Sequence, residues 1–127
     1  MTLTFSILAA ISHSRQWIAF EEDIARLTAN ECTVEVNGKV VLERESFLRL
    51  VRKIEEVQRK GGSRRRYDVL LQSESESFQF ELWEAAEIPN VYRVMVLNKH
   101  QEPFRIGTVR SPELRELLIQ YDREKSL

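Results

Sequence analysis

Polar and apolar residues alternate through Thr33-Val34-Glu35-Val36, and a second short apolar run, Lys39-Val40-Val41-Leu42, follows Asn37-Gly38. Asn-Gly tolerates positive φ at both central positions of a type I′ turn, so this stretch predicts a β-hairpin. The period then changes. Phe47, Leu50, Val51, Ile54 and Val57 recur at three- and four-residue spacing, which predicts an amphipathic helix ended by Gly61-Gly62. Alternation resumes in four runs: Tyr67/Val69/Leu71, Phe78/Phe80/Leu82, Tyr92/Val94/Val96 and Phe104/Ile106. Turn-forming residues separate them at Ser73–Ser77, at Pro89-Asn90 and around Lys99–Pro103. Ser111-Pro112-Glu113 then has the order of an N-cap, a proline at the first helical position and an acid in the first turn. Leu114, Leu117, Leu118 and Tyr121 supply the apolar stripe of that last helix.

The first 30 residues support two patterns. We read Thr2–Ile11 and Arg15–Phe20 as strands that would complete a first half matching the second. The alternative is a helix capped by Ser14, with Trp17, Phe20, Ile24 and Leu27 on one face. The strand reading gives an α+β protein of antiparallel sheet in two strand-rich halves, about 1–60 and 64–125, each followed by an amphipathic helix packed on the sheet. At 127 residues the whole chain, 1–127, is expected to form one domain with a real core.

Side chains alternate along a strand, so Phe78, Phe80, Leu82, Tyr92, Val94, Val96, Phe104 and Ile106 should face one way, beneath the helices. The opposite side would present Gln79, Glu81, Trp83, Arg93, Met95, Leu97, Arg105 and Val109. That mixture is too apolar for a plain solvated surface and too charged for a core, the composition of an interaction site.

Composition narrows the class. An apolar share of 43% with 31% charged residues describes a globular chain and excludes a disordered one. The single cysteine, Cys32, excludes an internal disulfide framework. The run Ile7–Ile11 is far short of the roughly 20 residues that span a bilayer. No Lys or Arg precedes it, so the expectation is a cytoplasmic chain without a membrane partner.

Charge is unevenly placed. Arg49 to Arg66 holds eight Lys/Arg against two Glu, a net of +6 in a chain whose total is −1, leaving −7 elsewhere. On a helical projection Arg49, Arg52, Lys53 and Lys60 lie opposite the apolar stripe, and Arg64-Arg65-Arg66 follow the glycines as a basic loop. One reading is a solvated helix face laced with the i,i+4 pairs Glu45–Arg49, Glu55–Arg59 and Glu56–Lys60, each worth about 0.2–0.5 kcal/mol. The other is contact with a polyanion, since a guanidinium fork can donate two bonds to one phosphate. The half-apolar sheet side is similarly open: a dimer interface or packing against the N-terminal segment, or a platform where bases stack on Trp83 while Arg93 and Arg105 meet phosphates or cap rings.

No motif points to catalysis, a metal or a cofactor. His13, His100 and Cys32 lack partners at ligand spacing, and Gly61-Gly62-Ser63 lacks the Gly-Lys-Ser/Thr ending of a phosphate loop. Glu21-Glu22-Asp23 has no His or Lys beside it for acid–base work. Cys32 adjoins Glu31, which disfavours a thiolate. The Ser73–Ser77 loop, alternating Ser and Glu, is a polar hairpin turn open to modification.

With strands followed by a helix twice over, the layout resembles the Whirly-type fold, shared with certain single-strand-binding transcriptional coactivators. Asn37-Gly38 through Val57 and Phe104 through Tyr121 are the corresponding strand-to-helix passages. The likeness is one of topology over nearly the whole chain. It implies two four-strand-plus-helix units, antiparallel sheets backed by helices, and a dimer or larger oligomer that binds single-stranded DNA or RNA. The expectation is therefore a non-enzymatic binder of single-stranded nucleic acid with a regulatory role, with Arg49, Arg52, Lys53, Lys60, Arg64, Arg65, Arg66, Trp83, Arg93 and Arg105 as candidate contacts. The alternative is a protein-interaction module, such as an assembly factor, adaptor or immunity-type protein.

Overall fold

The computed structural model describes residues 2–29, 31–52, 62–97 and 100–122, with side chains from Arg15 onward. Its elements are α1 (Thr2–Ala29), β1 (Thr33–Val36), β2 (Lys39–Val40), α2 (Arg44–Val51), β3 (Ser63–Gln72), β4 (Ser77–Ala85), β5 (Val91–Leu97), β6 (Pro103–Arg110) and α3 (Pro112–Ile119). The strands form one antiparallel sheet in the order β2-β1-β3-β4-β5-β6. The expected α+β class, an antiparallel sheet with amphipathic helices, is what the chain adopts.

The N-terminal expectation is corrected. Thr2–Ile11 and Arg15–Phe20 are not strands but parts of α1. A strand over Arg15–Phe20 would send Trp17 and Phe20 to opposite faces. A helix places Trp17, Phe20, Ile24 and Leu27 on one stripe, and all four are buried. Phe20 meets Phe80 edge-on at 5.0 Å and Phe78 at 5.8 Å, so α1 seats on the aromatic residues of β4. Although α1 has 28 residues, no described helix is long and apolar enough to cross a membrane.

The hairpin forms at the predicted turn, with Asn37 at φ 52° and Gly38 at φ 83°. Asn37 does more than turn the chain. Its backbone N–H donates to the Asp68 carbonyl, its Oδ1 accepts from the Asp68 N–H at 2.9 Å, and its Nδ2 donates to the Tyr121 carbonyl at 2.8 Å. One side chain thus ties β3 to the end of α3. Ser111 caps α3 as expected, its Oγ accepting from the Leu114 N–H at 3.0 Å. Helix α2 buries Phe47, Leu48, Leu50 and Val51, while Ile54, Val57 and the Gly61 stop lie outside the described residues.

The core lies between the helices and one face of the sheet. Val34, Val36, Tyr67, Val69, Leu71, Phe80, Leu82, Tyr92, Val94 and Ile106 point into it, with Phe78, Val96 and Phe104 packed at its margin. Each large side chain fully buried there contributes roughly 1.5–3 kcal/mol. Val109, expected on the opposite side, is also in this core. The register slips between Val94 and Met95, whose partners are Gly107 and Arg105, so Ile106 is an extra residue. A β-bulge of this kind inverts the alternation beyond it, turning Val109 inward opposite Tyr92 and Thr108 outward opposite Arg93.

Candidate nucleic-acid interface

All described helices pack on the core side, and among the described residues no helix covers the other face of the sheet. Cross-strand register fixes which side chains meet there, because directly opposed residues share a face. One row reads Arg66–Trp83–Arg93–Thr108 across β3, β4, β5 and β6. The next reads Asp68–Glu81–Met95–Arg105. Beyond it lie Val40, Glu35, Leu70, Gln79 and Leu97. The face therefore grades from arginine and aromatic, through carboxylate and thioether, to aliphatic.

Trp83 sits at the centre of the first row, half-buried. The Arg66 guanidinium lies over its ring, 4.0 Å from the centroid, and the indole N–H donates to Glu81 Oε1 at 2.7 Å. This cation–π contact holds a flexible arginine over the ring and leaves its other planar face toward solvent. Arg93 donates to the Gly62 carbonyl and the Ser63 hydroxyl at 3.3 and 3.4 Å, which draws its guanidinium toward the start of β3. Arg105, on edge strand β6, is exposed. Four candidates from the sequence, Arg66, Trp83, Arg93 and Arg105, are thus brought together on one surface.

The remaining candidates go elsewhere. The arginine triplet is not a glycine-flanked loop: β3 starts at Ser63, and strand alternation splits the three. Arg64 is exposed at the register irregularity between Ser63 and Arg65. Arg65 turns to the helix side, where its Nε lies 3.0 Å from Asp122 Oδ2. Burial works against the Arg65 charge, but Asp122, Glu84 and Tyr67 outweigh it and raise its pKa. Glu84, opposite Arg65 in the sheet, is buried, and its Oε2 accepts no hydrogen bond from the described residues. The same acids act on their aromatic neighbours. The Tyr67 phenol is pushed up to about 12 by burial and then by Asp122 and Glu84, and Tyr92 is raised chiefly by burial. Arg65 thus belongs to an internal charge cluster.

Arg49 and Arg52 lie on the far side of the molecule. With Arg44 they line a groove of about 510 Å³ between α1 and α2, floored by Ile24 and Leu48. Arg52 has Glu21 of α1 at 3.9 Å. Arg44 donates to the Cys32 carbonyl. Lys53 and Lys60 lie outside the described residues. The basic helix and the sheet face are therefore two separate surfaces with the core between them.

Two features escaped sequence reasoning. Composition groups Arg66 with its neighbours as a basic loop, although the alternation of Tyr67, Val69 and Leu71, continued backward, places Arg66 and Asp68 on the outward side. The Arg65–Asp122 pair spans 57 positions and leaves no local signal. Among the described residues no group of His, Cys, Asp or Glu could hold a metal ion. Comparison with protein-family models, with curated proteins and with solved structures finds no match to this chain.

Proposed function

We propose that the uncovered sheet face binds single-stranded nucleic acid. The observation that carries this reading is the Arg66–Trp83–Arg93 row, with Arg105 one step away on the sheet edge. Single strands are held by a basic track for the backbone and flat surfaces for the bases, without need of a groove that fits a duplex. Arg66 stacked on Trp83 supplies both a charge and a planar surface. A base can stack on the outer face of that guanidinium or displace it and stack on the indole directly. Arg105 extends the positive track to edge strand β6, while the Arg93 guanidinium reaches back toward the start of β3, where Arg64 also stands. The Whirly-type resemblance implies the same ligand class.

The test is fluorescence anisotropy of labelled single-stranded oligonucleotides at low salt, with the wild-type chain and Trp83→Ala. Loss of one base–aromatic stack is worth about 1–3 kcal/mol, so affinity should drop by about fivefold to 150-fold. Absence of binding at low salt rejects the proposal. Equal affinity in the variant removes Trp83 from it.

A second reading draws on the aliphatic end of the same face, where Val40, 54% exposed, shares a row with Leu70 and Leu97. A protein partner or a second copy of the chain could seat there, making this a protein-interaction module or a homodimer. Trp83→Asp separates the two: a smaller particle by light scattering with oligonucleotide binding intact favours the interface.

A further inference from the structure

Within the proposed site, two carboxylates stand where a plain phosphate-binding surface would have none. Asp68 and Glu81 are directly opposed on neighbouring strands. They adjoin the arginine row on one side only. Asp68 is two residues from Arg66 along β3, and Glu81 is two residues from Trp83 along β4, so both point outward on the same face. Glu81 is held by the indole N–H through Oε1, which leaves the acceptor capacity of Oε2 beside the aromatic ring. Met95, opposite Glu81, is itself buried, and the exposed Gln79 and half-buried Leu97 follow in the next row.

From this gradient we infer that the bound strand has a fixed orientation and a base preference, an inference that rests on the nucleic-acid reading above. The phosphates follow Arg66, Arg93 and Arg105, because Glu81 repels them from the neighbouring row. The bases project over Glu81 and Gln79. A carboxylate there accepts a hydrogen bond from an exocyclic amine, such as N4 of cytosine, whereas thymine and uracil place an O4 oxygen, which it repels, at the same position and keep only the ring N3–H as a donor. Glu81 is thus a specificity-determining residue, and the ligand class is single-stranded nucleic acid rich in amino-bearing bases.

Cytosine and thymine strands make the comparison clean, since both are pyrimidine homopolymers with the same backbone charge. Anisotropy competition with oligo-dC and oligo-dT of equal length, at mildly alkaline pH to keep cytosine unprotonated, should show dC binding about threefold to tenfold tighter, the worth of one net hydrogen bond. Glu81→Gln is nearly isosteric and keeps an oxygen for the indole N–H, but its amide can donate as well as accept. It should shrink the dC/dT ratio toward one and strengthen dT binding. Binding of both strands with dT equal or tighter in the wild type overturns the inference and leaves the nucleic-acid reading standing. An unchanged ratio in Glu81→Gln likewise overturns it. No binding of either strand by the wild type sinks both.

Discussion

Salt dependence gives the sharpest test of where a strand would lie. Each phosphate neutralised on a single strand contributes about −0.7 to the slope of log affinity against log salt. The sheet face places three guanidiniums on the proposed track, Arg66, Arg93 and Arg105. The expected slope is therefore about −2.1, so a fourfold rise in salt, from about 50 to 200 mM, should weaken binding about 18-fold. Arg66→Gln removes one contact. The slope should fall to about −1.4 and the same salt step should then cost only about sevenfold. Arg49→Gln is the matched control, because Arg49 lines the groove between α1 and α2 on the other side of the core. It removes the same charge from the chain but none from the track, so the slope should not change. Anisotropy titrations at four or five salt concentrations measure all three. A slope that responds to Arg49 and ignores Arg66 would refute the placement and move the polyanion to the helical groove.

The fold itself makes further predictions. Asn37→Ala removes two side-chain hydrogen bonds and places a Cβ-bearing residue without local support at φ 52°, so urea denaturation should show a loss of about 2–4 kcal/mol. Asn37→Gly relieves the backbone part and should lose less. Phe80→Ala empties the space beneath Phe20 of α1 and should cost about 3–5 kcal/mol. Alkaline stability should be set by Tyr67 and Tyr92. An unfolded tyrosine ionises near 10. In the fold, burial and then Asp122 and Glu84 hold Tyr67 neutral up to about 12. The unfolded state therefore releases its proton first. Stability is complete below about pH 10 and declines as the pH climbs through 12. Urea midpoints over that range should fall more gently in Tyr67→Phe, and equal slopes would show that Tyr67 contributes nothing to the decline.

What could be read in the sequence followed the range of the interactions involved. The hairpin at Asn37-Gly38, the Ser111 cap and the alternation of β3 to β6 depend on neighbours a few residues apart, so local pattern is enough to place them. At the N-terminus two local patterns competed. Thr2–Ile11 has enough apolar residues for a strand, and only the spacing of Trp17, Phe20, Ile24 and Leu27 settles the helix. Their stripe gains its energy from burial in the shared core, where Phe20 meets Phe78 and Phe80, more than 50 positions away. The bulge at Ile106 depends equally on its partner strand, and Val109 was misplaced with it. The candidate site divides along the same line. Trp83, Arg93 and Arg105 were assigned to one face by alternation alone. The arginine triplet looked like a single basic patch because composition ignores direction, whereas a strand sends adjacent residues to opposite sides. One of the three joins an internal cluster with Asp122 and another caps the tryptophan. A run of like charge in a sequence is therefore a weak guide to a charged surface until the period of its backbone is known. In a helix the run wraps around the cylinder; in a strand it is split between two faces. Here the split leaves one side of the sheet with a graded row of arginine, tryptophan and carboxylate, and it is that gradient, more than the total charge, that gives the proposed ligand a direction.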